Sequence, residues 1–155
     1  MVICKFENGG EAKLRHVVTH AIVEKDGAIL LVKRAPGLLE AGKWGLPAGY
    51  MELNETAAES VLRELYEETG WEGTVSTFFR IVSTPNRPNE DRQNVSLEFI
   101  VTPTKKTGTP DHESTDVQWI PIDKLRPNEF AFDHGESIQL YLKWKEKKFQ
   151  LPMLI

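Results

Sequence analysis

Cysteine is nearly absent from this chain: Cys4 stands alone among 155 residues. A single thiol closes no internal disulfide and builds no zinc ribbon, and it suits a reducing, cytoplasmic setting. Long apolar runs are missing, so nothing reads as a membrane span, and no signal-peptide pattern is visible. A surplus of positive charge is lacking too: 19 Lys and Arg face 23 Asp and Glu, a formal net charge of −4. That balance speaks against a general nucleic-acid binder, which is normally basic. Repeats and low-complexity tracts are also wanting. What remains is 40% hydrophobic and 27% charged, as in globular proteins. The expectation is a single domain over residues 1–155, with 1–15 as an N-terminal extension.

The information is concentrated in residues 49–71, GYMELNETAAESVLRELYEETGW. Glu64, Glu67 and Glu68 fall at i, i+3 and i+4, so a helix puts three carboxylates on one face. Gly70 follows and reads as the stop of that helix. Like charges crowded at the negative pole of a helix cost roughly a few tenths of a kcal/mol each or more. A hard divalent cation held by carboxylate oxygens would offset that cost, and Mg²⁺ suits such a site, with Mn²⁺ as a substitute. Ala58, Val61, Leu62, Leu65 and Thr69 recur at helical spacing and form the predicted buried stripe. Thr56 with Glu59 fits a capping box, and Asn54 is a competing N-cap. Arg63 follows Glu59 and Glu55 by one and two turns and can bridge both. Gly49 is expected to permit a positive φ and a close backbone approach to a ligand.

Around this segment, β-branched runs at 17–23 and 28–33 flank Asp26-Gly27, a hairpin signal. Residues 35–43 read as a loop, 74–83 and 94–102 as strands, and 84–93 as a polar, proline-interrupted connection. A last strand is expected at 117–120 and a short helical turn at 121–125. Asp133 with Glu136 is expected to cap a final helix ending near 147, with Ile138, Tyr141 and Leu142 facing inward. A small hairpin is expected around Asn8-Gly9-Gly10, and His20, in an apolar strand, reads as a satisfied core histidine. No physical role is evident for His134.

The spacing of Gly49, Glu55, Arg63, Glu64, Leu65, Glu67, Glu68 and Gly70 resembles the Nudix box, with Trp71 standing where relatives usually carry an aliphatic residue. The resemblance covers roughly residues 16–147. It implies an α/β fold, the Nudix α/β/α sandwich with a mixed β-sheet between helices. It also implies a hydrolase that cleaves a phosphoanhydride in a nucleoside diphosphate linked to another group. By position, Glu67 and Glu68 resemble the family's main metal ligands, Glu64 the residue that binds metal or orients water, and the Gly49 carbonyl an added ligand. Glu55 and Arg63 are expected to pair behind the metal and hold loop and helix in register. Relatives often place a catalytic Glu ahead of the last strand's Trp. Glu113 before Trp119 fits, Asp116 competes, and Glu98 is a third candidate.

Substrate contacts are expected from Arg34, where relatives often present a basic residue. Arg87 and Arg92 flank Glu90 and Asp91 and could clamp a phosphate or pair with those acids. Trp44 or Phe79 could stack on a base or pack in the core. The lead-in WGLPAGYME resembles relatives acting on ADP-ribose or other nucleotide sugars. Pro85 falls near a proline marker of ADP-ribose pyrophosphatases, blurred by Pro88. Nucleotide-sugar hydrolysis is therefore the first expectation. Nucleoside triphosphate pyrophosphohydrolysis is the alternative, followed by dinucleoside polyphosphates or capped RNA, and by nucleotide sensing without cleavage. The expected partner is a small-molecule nucleotide, and the default assembly is a homodimer involving the first 15 residues.

Overall fold

Two strands that start as a hairpin and then part company organise the molecule. Strands β3 (Val17–Lys25) and β4 (Ala28–Arg34) turn at Asp26 and Gly27, whose φ angles of 51° and 76° are those of the expected tight turn. They pair only beside that turn, at Glu24↔Ile29 and Lys25↔Ala28. Beyond it β3 takes β6 (Ala48–Tyr50) and β4 takes β5 (Trp44–Gly45) as antiparallel partners, while β9 (Ser114–Pro121) pairs with β4 from Ala28 to Arg34. The structure, a computed structural model, describes residues 2–155 apart from 88, 90 and 91.

On its other edge β3 runs parallel to β8 (Val95–Lys106), which pairs antiparallel with β7 (Trp71–Val82), and β10 (Met153–Leu154) closes that edge. The mixed sheet thus reads β10-β7-β8-β3-β4-β5, with β6 on β3 and β9 on β4. The expected hairpin around Asn8-Gly9-Gly10 is present as β1 (Val2–Lys5) and β2 (Glu11–Leu14), a separate two-stranded sheet.

Strand alternation sends side chains to two helices. Ala21, Val23, Leu30, Phe99 and Val101 pack with Val61 and Leu65 of α1 (Ala57–Thr69). Ile22, Ile29, Leu31 and Phe79 pack with Ile138 and Tyr141 of α2 (His134–Lys147). This is the expected α/β/α sandwich. The buried stripe of α1 differs at one end: Ala58 is exposed, and Ala57 and Ser60 turn inward. Thr56, not Asn54, is the N-cap, with both halves of the capping box formed. Trp71 meets Trp119 edge-on at 5.4 Å between centroids, so the unusual box residue is absorbed by aromatic packing. The cap expected of Asp133 is not made. Its side chain makes no capping hydrogen bond because Arg87 takes the carboxylate.

Candidate active site

Where β3 and β4 diverge, the sheet opens into a cleft of about 580 Å³. Val18 and His20 of β3, Arg34 at the end of β4, and the three residues of β6 reach it, together with Arg63, Glu64 and Glu67 of α1. Asp111 and Glu113 enter from the loop before β9, and Arg87, Arg92 and Asn94 from the loop between β7 and β8.

The capping box starts α1 at Thr56, which sets the phase of every carboxylate that follows. Glu59 accepts from the Thr56 backbone N–H at 2.8 Å, so it is occupied at the cap and does not reach Arg63 as the spacing suggested. Arg63 instead holds Glu55 with two hydrogen bonds, from Nε at 3.0 Å and Nη2 at 2.8 Å. Its Nη1 donates to Glu64 Oε1 and Glu67 Oε2, each at 2.8 Å, and its Nη2 also donates to the Tyr50 carbonyl at 3.0 Å. The paired bonds from Arg63 pull the Glu55 carboxyl down to about 2. One guanidinium therefore fastens the loop, the helix and β6 together.

Burial pushes the Glu64 carboxyl up to about 7, against the pull of Arg63 and with help from Glu67 and Glu113. Glu68 lies behind the cleft wall, where Oε2 accepts the Ala48 N–H at 2.8 Å. Burial pushes it up to about 8, with Glu64, Asp111 and Glu113 adding repulsion. Gly70 ends the helix in the left-handed region with φ 73°, and its carbonyl accepts from Thr107 and Gly108 at 3.0 and 3.1 Å. Asp111 N–H donates to the Glu67 carbonyl at 2.9 Å, which seats the loop on the helix end. In this way the helix stop brings Asp111 and Glu113 to the box carboxylates.

Gly49 does not take the positive φ expected of it. It lies in β6 paired with Thr19, outside the positive-φ residues, and a Cβ there would meet the Glu64 carboxylate at under 3.0 Å. Among the described residues no three acidic or imidazole side chains already converge as a ligand set, since Arg63 holds oxygens of both Glu64 and Glu67. The donors nonetheless suit a hard cation. They are crowded carboxylate oxygens, two of the groups have their charge disfavoured by burial, and the third, Glu67, is half-exposed at the cleft with one oxygen on Arg63.

The other residues in the cleft are basic and aromatic. Arg34 donates from Nε to the Leu39 carbonyl at 2.7 Å, and its guanidinium lies 5.2 Å from the Phe132 ring centre. Arg87 lies 5.7 Å from the same ring and is bound to Asp133. Arg92 donates to the Tyr50 hydroxyl and lies over its ring. The expected pairing of Arg87 and Arg92 with Glu90 and Asp91 falls outside the described residues, as does Pro88.

Phe132 has a φ of 49°, an uncommon conformation for a bulky residue. Next to it, His134 accepts the Leu46 N–H on Nδ1 at 2.9 Å, so its proton sits on Nε2. Burial pushes His134 down to about 3, opposed by Asp133 and aided by Arg87 and Arg34. His20 meets His134 edge-on at 4.8 Å. It is buried as expected but not satisfied: Nδ1 has no hydrogen-bond partner among the described residues. Burial, then His134 and Arg87, hold it well below its usual value.

Four candidates stand elsewhere. Trp44 packs on the α2 core beneath Lys33, and Phe79 is fully buried there. Asp116 in β9 accepts from Gln118, away from the cleft. Glu98 does face inward, but toward α2, where Arg80 Nε donates to it at 2.7 Å and Ser137 Oγ at 2.8 Å. The reading from sequence missed Asp111, Tyr50 and Phe132, took His20 for a core histidine and gave His134 no role. Only the proximity of Asp111 to Glu113 left a trace in the sequence.

A family model described as NUDIX domain matches residues 13–141. An ADP-ribose pyrophosphatase of Methanocaldococcus jannaschii is 32% identical over 129 residues, spanning 83% of this chain and 74% of that one. A NUDIX hydrolase structure from Nitrosomonas europaea superposes with a TM-score of 0.78 at 27% identity, covering 91% of this chain and 78% of the other. A bifunctional NMN adenylyltransferase/ADP ribose pyrophosphatase from Francisella tularensis, solved with AMP and a manganese ion, shares the fold with a TM-score of 0.69 at 24% identity. It covers 85% of this chain and 42% of that one.

Proposed function

Because the chain belongs to the Nudix hydrolase family and is a Nudix pyrophosphohydrolase, we propose that it hydrolyses the diphosphate of ADP-ribose or a related nucleotide sugar with the help of Mg²⁺. The observation that carries this is the charge layout of the cleft. Carboxylates from α1 and the loop before β9 share it with guanidiniums from β4 and the loop after β7. A substrate diphosphate is anionic along its whole length, so guanidiniums alone do not account for the carboxylates beside it. Glu64, Glu67 and Glu68 with the Gly49 carbonyl would hold the metal, which when bound neutralises phosphate oxygens and makes water more acidic. Arg34, Arg87 and Arg92 bind non-bridging phosphate oxygens and fix the scissile bond relative to α1. Glu113, on the loop seated against α1, takes the proton of the attacking water. Phe132 and His20 face the organic part of the substrate. Arg63 stays with Glu55 and keeps Glu64 and Glu67 in register.

Similarity to the M. jannaschii ADP-ribose pyrophosphatase favours the nucleotide-sugar substrate. A cytoplasmic setting fits the lone thiol of Cys4. A homodimer through β1 and β2 fits the exposed Ile3, Phe6 and Leu14. The test is product analysis with Mg²⁺ on ADP-ribose, other nucleotide sugars and nucleoside triphosphates, beside Glu67→Gln. AMP and ribose 5-phosphate from ADP-ribose, absent with the variant, are the expected products. Nucleoside monophosphate and pyrophosphate from triphosphates, with ADP-ribose intact, would replace this substrate with the triphosphate class.

A further inference from the structure

Arg15 lies outside the box and outside the cleft, in the two-residue link between β2 and β3. Its guanidinium nevertheless joins both ends of the loop that carries Arg87 and Arg92. Nη2 donates to the Ser83 carbonyl at 2.6 Å, just past the end of β7. On the far side of the same loop, Nε donates to the Gln93 carbonyl and Nη2 to the Asn94 carbonyl at 3.4 Å, just before β8. The last ladder pair of the two strands is Val82↔Ser96, so the chain leaves the sheet immediately beyond these points.

The neighbouring backbone reinforces the joint. Val95 N–H donates to the His16 carbonyl at 2.8 Å, and Ser83 N–H donates to the Ile155 carbonyl at 2.7 Å. Three carbonyls held by one planar guanidinium is a geometry that Arg supports and a point-charge ammonium does not. The loop it closes supplies two of the guanidiniums that reach the cleft. Arg87 has its own brace in Asp133 near Phe132, whereas Arg92 reaches the cleft beside Tyr50.

We propose that Arg15 is a positioning residue for substrate binding: by holding the ends of the 83–94 loop together it sets the reach of Arg87 and Arg92 into the cleft. This rests on the proposed role of those two arginines in binding substrate phosphate. It also gives the link after β2 a task in substrate binding from outside the cleft.

The experiment is steady-state kinetics on ADP-ribose with saturating Mg²⁺, comparing the unmodified enzyme with Arg15→Ala, Arg15→Lys, Arg92→Ala and the Arg15→Ala/Arg92→Ala double variant, with melting curves alongside. Arg15→Ala is expected to raise KM about tenfold and leave kcat within about twofold, the pattern of lost binding geometry. Arg15→Lys recovers part of the loss. The double variant is expected to bind no worse than the poorer single variant, because both substitutions remove the same contact. A purely structural staple would lower the melting temperature and leave KM unchanged. That outcome, together with a raised KM for Arg92→Ala, overturns the positioning role and leaves the phosphate-binding arginines intact. An unchanged KM in Arg92→Ala and Arg15→Ala alike overturns both. If Arg15→Ala fails to fold, Arg15→Lys decides: a raised KM at near-normal kcat supports the proposal, and an unchanged KM overturns it. Absence of ADP-ribose turnover by the unmodified enzyme defeats the substrate assignment, and the proposal falls with it.

Discussion

The Glu64 carboxylate occupies the space that a Cβ on Gly49 would need, with both oxygens and the carboxyl carbon under 3.0 Å from that position. β6 and α1 are therefore in contact through a missing side chain. Gly49→Ala is expected to displace Glu64 and cut kcat by roughly 10²-fold, the scale set by small misplacements of a reacting group. The backbone at Gly49 has an ordinary strand φ, so the fold should survive. Circular dichroism and kcat measured together check this, and a variant within twofold of normal activity would remove Glu64 from the chemistry.

Glu98 and Glu113 should respond in opposite ways. Glu98 is the buried partner of Arg80, and Glu98→Ala leaves that guanidinium with Ser137 and the longer contacts to Glu136 and Asp133, at a cost of roughly 3 kcal/mol. Glu113 is exposed, and Glu113→Gln should change stability by less than about 0.5 kcal/mol. Its kcat should fall by roughly 10²–10⁴-fold if it is the base. Urea titration and turnover on the same preparations separate the two. A Glu113→Gln enzyme with full kcat sends the search for the base to Asp111.

Divalent metal should stabilise the protein saturably. At a concentration a hundred times its Kd the gain is about 2.7 kcal/mol if the unfolded chain does not bind it. The rise in melting temperature with Mg²⁺ should shrink in Glu67→Gln and be unchanged in Glu24→Gln, whose carboxylate is bound to Lys145 and Tyr141. Equal curves for the unmodified protein with and without Mg²⁺ would remove the metal from the proposed reaction.

Stability should fall in mild acid through two histidines. His134 is held down to about 3 when folded, against 6.5 when free, and His20 is also well below 6.5. Both are neutral in the folded protein and take up protons on unfolding. Their contribution is therefore complete above pH 6.5 and is lost as pH falls below it, for His134 down toward its folded value of about 3. Each adds up to about 1.4 kcal/mol per pH unit to the slope. His134→Gln, which keeps an acceptor for the Leu46 N–H, should flatten the decline in melting temperature between pH 6.5 and 4. An unchanged slope would mean that His134 is reachable by protons in the folded state.

The box helix was legible in the sequence because its determinants are local. Thr56 and Glu59 cap each other three residues apart, Arg63 and Glu67 meet one turn apart, and Gly70 stops the helix where a left-handed φ is needed. Helical periodicity alone aligned Glu64, Glu67 and Glu68. The pairing of Glu55 with Arg63 also followed from position in the box. Strand boundaries were less legible: β7 begins at Trp71 and β9 at Ser114, each three residues before the expected start, because pairing with a neighbour extended them past their apolar runs.

By itself, then, the sequence determined the helix that carries the carboxylates, since this rests on spacing within a few turns of chain, while the sandwich and the hydrolase family followed from the resemblance of that spacing to the Nudix box. Tertiary structure alone decided which distant residues share the cleft. The Leu46 N–H finds His134 across 88 positions, Arg87 finds Asp133 across 46, and Arg80 withdraws Glu98 from the chemistry across 18. No local pattern encodes such partners. They are set by tertiary pairing: Arg80 and Glu98 meet as a cross-strand pair of β7 and β8, and the cleft residues meet where β3 and β4 splay.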